Sequence, residues 1–229
     1  MTGTAPQPAV VRPQASGPGR GPVEHLLHAL NQPLTGLQCS MELAIAGPHP
    51  AAYYLRTLEE GLELVSRARV LVGALRQVVD VQDATFREVS LFRIDRLLRE
   101  IGSELEPVAL SKGMALQVFA AVPLFVHGSR SHMSNSLLRL LDSVLALAVE
   151  NKAIHLSVTA EDGKACVMIS WTPASASSTA FSTPELGMLI SRAAWERAGG
   201  TWARGSSGEN HTCILCMALA PSPQPGRAK

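Results

Sequence analysis

Apolar residues recur at alternating spacings of three and four within the stretch 24–46. The repeat consists of Leu27, Leu30, Leu34, Leu37, Met41 and Ala44. This heptad-like spacing predicts a helix that packs along another helix. His28 falls beside the repeat, so its ring should lie on the flank of the helix, in water. Pro33 cannot donate a backbone hydrogen bond and crowds the carbonyl of Ala29, so it should bend the helix close to His28. Spacing alone indicates no more than a surface histidine on a bent helix.

A second long helix should follow the first after a sharp turn. The sequence Gly-Pro-His-Pro at 47–50 ends the helix 23–46. A helix over 51–79 then carries its own near-heptad repeat, Leu55, Leu58, Leu62, Val65, Val72 and Leu75. Two helices joined by a tight turn form an antiparallel hairpin. A lone hairpin leaves apolar flanks uncovered, so we expect a homodimer in which two hairpins form a four-helix bundle.

The rest of the chain mixes helices and strands between two tails. Residues 1–22 and 221–229 have the composition of disordered segments, and 80–88 reads as a polar connector. Periodicity predicts helices ending near Leu110, over 130–150 and over 184–198, and strands starting near Val89 and over 114–119, 153–160, 164–171, 201–204 and 211–219. A polar loop should cover 172–184. This order predicts an α+β fold.

Composition excludes several classes of partner. Of 229 residues, 46% are hydrophobic and 17% charged, and the formal net charge is +1. Without a run of Lys and Arg, nothing in the charge pattern favours nucleic acid or anionic lipid. The N-terminus lacks the pattern of a signal peptide, and no apolar run has the roughly 18–20 residues of a membrane span. The sequence therefore predicts a cytoplasmic protein that does not enter the membrane.

Four cysteines offer a metal or redox interpretation, but only weakly. Cys213 and Cys216 form a C-x-x-C within a strand-like run, where residues three apart face opposite sides. No second pair completes a zinc site, so we expect no bound metal. Buried apolar cysteines are the better interpretation.

The residues around His28 point to a known family. The run H-A-L-N-Q-P-L-T-G-L resembles the H-box of sensor histidine kinases, H-E-L-N-Q-P-L-x-x-I. His28 matches the phosphoacceptor, and Asn31, Gln32 and Thr35 match residues that follow it. Ala29 departs from the pattern, because most members place Glu or Asp there to assist the histidine. For a phosphoacceptor at His28, helical spacing makes Asn31, Gln32, Thr35 and Gln38 the continuation of the same face as a docking surface. Gln32 either orients a water or the phosphoryl oxygens or is an ordinary solvated amide.

The order of elements after the hairpin also resembles this family, over roughly residues 24–220. The implied architecture is a dimerisation and phosphotransfer hairpin at 23–79, followed at 86–220 by a Bergerat-type (HATPase-like) α/β sandwich. Position by position, the nucleotide site is degenerate. Arg139 and Ser143 replace the two asparagines of the N-box, Trp171 replaces the adenine-binding Asp of D-x-G-x-G, and E-L-G-M keeps only Gly187 of the glycine box. The resemblance therefore implies that no nucleotide cofactor is bound.

Three functions fit these observations. The first is a phosphorelay histidine phosphotransferase that shuttles phosphoryl groups between aspartates of response-regulator receiver domains through His28. The second is a non-catalytic pseudokinase that regulates a kinase or a receiver, which the alanine at position 29 favours. The third is an ATP-dependent kinase with a divergent site. His25 lies one turn before His28, and lacks surrounding ligands, so we expect an ordinary surface residue.

Overall fold

The structure, a computed structural model, describes residues 21–83, 89–174 and 182–222. The predicted tails lie outside the described residues except at 21–22 and 221–222. Pro22 is part of the first helix rather than of a tail. Most of the predicted connector and of the polar loop, at 84–88 and 175–181, also lies outside.

The two predicted helices are present as α1 (Pro22–Ile45) and α2 (Ala51–Asp83). Stacking of the His49 and Tyr53 rings, with centroids 4.1 Å apart, stabilises the turn between them. The prediction that 80–88 is a connector was wrong for 80–83, which continue α2. Val81 in this last turn packs against a buried apolar cluster, and that contact favours a longer helix.

The contact between α1 and α2 differs from the predicted leucine repeat. Half of that repeat, Leu27, Leu34 and Met41, is about half exposed. The more buried face of α1 consists mostly of smaller residues at a spacing of three and four: Leu26, Ala29, Pro33, Gly36, Ser40 and Ala44 are all buried or half-buried. Glycine lets the two backbones approach closely, as where a Leu64 methyl lies 3.5 Å from the position of a Cβ on Gly36. Leu27, Leu34 and Met41 of the leucine repeat are therefore left on the surface of the single chain, whereas Leu30 and Leu37 are half-buried.

The second part of the chain is an α/β sandwich with helices on one side of a sheet. Its elements are β1 (Ser90–Arg93), α3 (Ile94–Ser111), β2 (Ala115–Phe119), β3 (Phe125–Gly128), α4 (Arg130–Leu147), β4 (Ala153–Glu161), β5 (Lys164–Trp171), α5 (Thr183–Arg197), β6 (Thr201–Ser207) and β7 (Asn210–Ala218). Five strands form one sheet in the order β2-β4-β5-β7-β6, in which only β2 and β4 are parallel. Strands β1 and β3 form a separate antiparallel pair, and β3 was not predicted.

One apolar core fills the space between helices and sheet. Strand β5 alternates its side chains, so that Ala165, Val167, Ile169 and Trp171 all face this core. Helix α4 contributes Leu137, Leu140, Leu141 and Val144 from one face, each essentially without exposed surface. The coarse prediction of an α+β fold with a helix-and-strand sandwich is confirmed.

The cysteine prediction held for Cys213 and failed for Cys216. Cys213 is buried, and burial raises the pKa of its thiol to about 12. Cys216 instead forms a disulfide with Cys166, because the register of β5 against β7 places these two residues directly opposite each other. The register of antiparallel strands cannot be obtained from the C-x-x-C spacing, so the pairing was not foreseen.

Candidate functional site

The residues that the sequence singled out around His28 share one face of α1. His28, Asn31, Gln32, Thr35 and Gln38 are all exposed. Their spacing places them on the side of the helix opposite Leu26 and Pro33, which are buried. Gln38 donates a hydrogen bond to Glu42 Oε1 over 2.8 Å, so it is held along the helix axis. The imidazole of His28 is thus open to solvent on a helix supported from behind.

Ala29, next to His28, points the other way and is 3% exposed. It belongs to an apolar cluster with Leu26 of its own helix and with residues of α2 and α5: Leu71, Ala74, Val78, Leu186, Ile190 and Ala193. An acidic residue at this position would place a carboxylate among these side chains, at a large desolvation cost. The departure from the H-box pattern at position 29 therefore has a packing reason.

Ser143 stands where the resemblance places the second N-box asparagine, which holds magnesium in the family. Helix α5 covers this position. Ser143 is buried, and its hydroxyl donates to the carbonyl of Arg139 in its own helix over 2.8 Å. Gly187 packs so closely over it that a Cβ at 187 would overlap Ser143 Oγ. A hydroxyl that is both engaged and covered has no room for a hard cation with its waters.

Trp171 lies where the resemblance places the adenine-binding aspartate. Its indole is 1% exposed and is part of the main core. The ring of His211, the residue paired with it on β7, packs edge-on with centroids 5.7 Å apart. Burial and the Arg204 cation together lower the pKa of His211. An apolar ring therefore fills this point of the sandwich, where a carboxylate would have to meet adenine.

The N-terminus of α5 is capped by the carboxylate of Glu185 from its own first turn. The backbone N–H of Ser182 donates to Glu185 Oε2 over 2.9 Å, and the Glu185 N–H donates to Ser182 Oγ over 3.4 Å. This capping box satisfies the first turn of the helix. A phosphate group approaching this end would meet a negative charge instead of free N–H donors. Glu185 stands at the first glycine of the degenerate glycine box.

Arg139, at the other N-box position, reaches out of the sandwich. Its Nη1 donates to Gln77 Oε1 on α2 over 2.7 Å. Arg139, which stands at an N-box position in the resemblance, thus connects α4 to the hairpin. Arg139, Ser143, Trp171 and Glu185 together do not fit a magnesium nucleotide.

The described residues contain neither a cluster of metal ligands nor a membrane-spanning helix. No group of three or more His, Cys, Asp or Glu side chains could hold a metal ion within 21–83, 89–174 and 182–222. No helix among these residues is both long and apolar enough to cross a membrane.

No protein-family model matches the sequence, and no curated protein matches it either. Several solved structures match the fold of this chain. Histidine kinase AdeS of Acinetobacter baumannii superposes with a TM-score of 0.52 at 17% identity, over 85% of this chain and 98% of its own. Full-length ShkA, solved with AMPPNP, gives 0.53 at 19% identity, over 91% of this chain and 48% of its own. The catalytic domain of histidine kinase ThkA gives 0.51 at 19% identity, over 59% of this chain and 99% of its own.

The chain has the histidine kinase fold. At these identities the likeness concerns fold alone, and it agrees with the resemblance seen in the H-box and in the order of elements. Helices α4 and α5 of this sandwich carry the residues that differ from the N-box and glycine-box patterns, Arg139, Ser143 and Glu185.

Sequence reasoning predicted the exposed face of α1 but missed the contact between the hairpin and the sandwich. Gln77 was not singled out, and Ala29 was noted only as a missing acid. The small residues of α1 at positions 29, 33, 36, 40 and 44 carry a signal for close helix packing. The partner helix α5 lies more than 130 residues further along the chain, and no local pattern connects the two.

Proposed function

We propose that this chain is a histidine phosphotransferase of a phosphorelay, which moves phosphoryl groups between receiver-domain aspartates through His28. The observation that carries the proposal is the combination of an exposed H-box histidine with nucleotide positions occupied by the chain's own side chains. A phosphotransferase needs the exposed histidine but does not need ATP, because the phosphoryl group arrives already activated as an acyl phosphate.

The transfer requires little from this chain. A nitrogen lone pair of the His28 imidazole attacks phosphorus, and the N–P bond forms as the P–O bond to the receiver aspartate breaks. The departing carboxylate keeps the electron pair. The reverse step on a second receiver restores the free imidazole. Gln32, one turn further along α1, is placed to orient a phosphoryl oxygen, and Asn31, Thr35 and Gln38 extend the face on which a receiver would dock.

A homodimer is part of the proposal. The hairpin leaves large apolar side chains about half exposed or more, among them Leu27, Leu34, Met41, Leu55, Leu58 and Leu62. A groove of about 550 Å³ between the helices is lined by Met41, Ile45, Leu58, Leu62 and Val65. A contiguous apolar face of this kind marks an interaction surface. A second hairpin would cover it and form the four-helix bundle.

The test is transfer of label from a phosphorylated receiver. Wild type should acquire acid-labile phosphate, and His28→Gln should not. His25→Ala is the matched control on the preceding turn, and it should accept label like wild type. If no receiver from the source organism labels His28, the phosphotransferase proposal fails.

A pseudokinase regulator is the alternative, and the buried Ala29 favours it because no acid stands beside His28. The two candidates differ in one measurement. A regulator should bind a receiver or a kinase with equal affinity whether position 28 is His or Gln, and phosphate should not move. A phosphotransferase should lose its transfer with the same substitution while still binding.

ATP should not bind at useful affinity. Trp171, the covered Ser143 and the carboxylate of Glu185 stand where the base, the metal and the phosphates would be. Calorimetry with ATP and magnesium should detect no binding with a Kd of ~1 mM or tighter, which corresponds to about −4 kcal/mol. A micromolar isotherm would support a divergent ATP-dependent kinase instead.

A further inference from the structure

A second apolar cluster, separate from the main core, joins the helical hairpin to the sandwich. Its buried members come from three helices: Leu26 and Ala29 of α1, Leu71, Ala74 and Val78 of α2, and Leu186, Ile190 and Ala193 of α5. Each is at most 5% exposed. Partly buried side chains at 23, 30, 75, 81 and 189 surround it. We refer to this cluster as the joint.

The joint has the character of a core rather than of a mobile domain interface. Domain interfaces within a chain are usually polar enough to let the domains move, unless they are apolar and well packed. The eight buried side chains of the joint are all aliphatic. Opening it would expose this whole surface to water, which the hydrophobic effect opposes.

A polar contact lies at the edge of the joint. Arg139 Nη1 donates to Gln77 Oε1 over 2.7 Å, joining α4 of the sandwich to α2 of the hairpin. The hydrophobic effect has no direction, whereas this exposed hydrogen bond adds one directional contact between the two parts.

Two of the chain's departures from the H-box and N-box patterns lie at this joint. Ala29 replaces an acid and supplies a small apolar surface to the cluster. Arg139 replaces an asparagine and reaches Gln77. A carboxylate at 29 would lie among aliphatic side chains, and burial of a charge there is strongly unfavourable. An acid beside His28 and a docked α5 therefore exclude each other.

We propose that the joint is a permanent lock, made possible by alanine at position 29, that holds the sandwich in one orientation against the hairpin. His28 stays exposed on the opposite side of α1, so the lock leaves the phosphoacceptor face open. A kinase that phosphorylates its own histidine must bring bound nucleotide to that residue, and a locked sandwich cannot make this movement. The sandwich is then a fixed support for α1, whatever partner His28 meets.

The experiment is a distance measurement between the two parts of the full-length protein. Cys39 on α1 is exposed and accepts a spin label, and Ser103→Cys supplies a second exposed site on α3. Excess unlabelled protein removes distances between protomers. Double electron–electron resonance should give one narrow distance in this otherwise wild-type background. A broad or multiple distribution of this label-to-label distance, with the joint unaltered, would refute the lock.

Ala29→Glu should open the joint. We expect the distance distribution to broaden, and amide exchange over 186–193 to accelerate at least about tenfold as α5 loses its cover. Ala29→Ser keeps a small side chain and should retain the narrow distance. Ala46→Glu makes the same chemical change at an exposed site at the end of the same helix and should also retain it.

Unchanged distances and exchange in a folded Ala29→Glu protein would refute the lock. Circular dichroism decides whether the variant is folded. If it is not, Ile190→Ser perturbs the joint from the α5 side and should broaden the same distribution. The readouts are distances and exchange rates, so failure of phosphotransfer at His28 leaves the test of the lock intact.

Discussion

Two neighbouring residues of α1 have opposite environments. His28 is exposed, whereas Ala29 is buried in the apolar joint, because successive residues of a helix point about 100° apart. The H-box resemblance names both positions but carries no information about which neighbour would pack behind them. Chemistry at His28 and packing at Ala29 are therefore set by different constraints.

Gly187 and Ser143 form the second informative pair, because the glycine here serves close packing rather than nucleotide approach. A Cβ at 187 would overlap Ser143 Oγ, while the Cβ of Ser143 would lie at an ordinary 3.6 Å. Gly187→Ala should thus lower the free energy of unfolding by about 1–3 kcal/mol through overpacking. Denaturant unfolding measures the change.

The double variant Gly187→Ala with Ser143→Ala tests whether the Ser143 hydroxyl causes the loss of stability in Gly187→Ala. Ser143→Ala alone should cost less than about 1 kcal/mol, because its hydroxyl bonds only within its own helix. Combined with Ser143→Ala, Gly187→Ala should return to wild-type stability or above it, since alanine favours a helix over glycine by about 1 kcal/mol. Additive losses in the double variant would show that the two helices are not packed as described.

Among the elements, α3 has the clearest electrostatic anchor. Asp95 in its first turn has a side chain with no exposed surface, and it accepts hydrogen bonds from Arg93 at 2.6 Å and Arg99 at 2.7 Å. Its Oδ1 also accepts from the backbone N–H of Leu124, 3.1 Å away and directly before β3. Burial alone would raise the pKa of Asp95, but the bonds from Arg93, Leu124 and Arg99 outweigh burial and lower it below 3.8.

Asp95→Asn should lower the free energy of unfolding at pH 7 by about 1.5–3 kcal/mol, the range for hydrogen bonds to a charged group. A lowered folded pKa means that the unfolded chain binds the proton more strongly. The stabilisation by Asp95 is therefore fully present above the unfolded value, 3.8, and is lost as pH falls through the lower folded value. Unfolding measured from pH 7 to pH 2 should show wild type and variant converging below about pH 4.

Glu100→Gln provides the control in the same helix. Glu100 is partly exposed and pairs with Arg96 and Arg130 at the surface, so its loss should cost less than about 1 kcal/mol. A constant difference between Asp95→Asn and wild type across this pH range would contradict the role assigned to the carboxylate.

At the scale of the whole molecule, the hairpin has apolar surface of two kinds. Its end near 22–33 and 71–81 is covered by α5 of the same chain. Its other end, toward the turn at 47–50, keeps large apolar side chains exposed, among them Leu55, Leu58 and Leu62. The proposed second hairpin would cover these side chains together with Leu27, Leu34 and Met41, which lie on a different face of α1 from Ala29, so dimer formation and the joint do not compete.

Leu58→Glu should weaken the dimer by at least about 100-fold, or 2.7 kcal/mol, because the carboxylate would be buried in the interface. Light scattering at micromolar concentration should give the dimer mass for wild type and the monomer mass for the variant. Leu110→Glu is the matched control, since Leu110 on α3 is 63% exposed and Leu58 62%. A monomeric wild type, or a monomeric Leu110→Glu protein, would contradict the assignment of the interface to the hairpin.

Local pattern in the sequence was enough to predict most elements and the altered nucleotide positions. Helix periodicity located α1 and α2, alternation and turns located β4 and β5, and Trp171, Ser143 and Gly187 could be compared with the resemblance one residue at a time. These inferences depend on neighbours in the chain or on residue type, and both are written in the sequence. His28 is exposed as predicted, but Leu27 of the apolar repeat beside it is also about half exposed.

Only the tertiary structure decided which apolar face of α1 meets α2 and what lies behind Ala29. Both the leucine repeat and the small-residue repeat have helical spacing, and the choice between them depends on how closely α2 can approach at Gly36. The joint with α5, the Arg139–Gln77 bond and the Cys166–Cys216 disulfide each connect residues at least 50 positions apart. Such contacts are fixed by how the elements pack and by strand register, which no local pattern encodes.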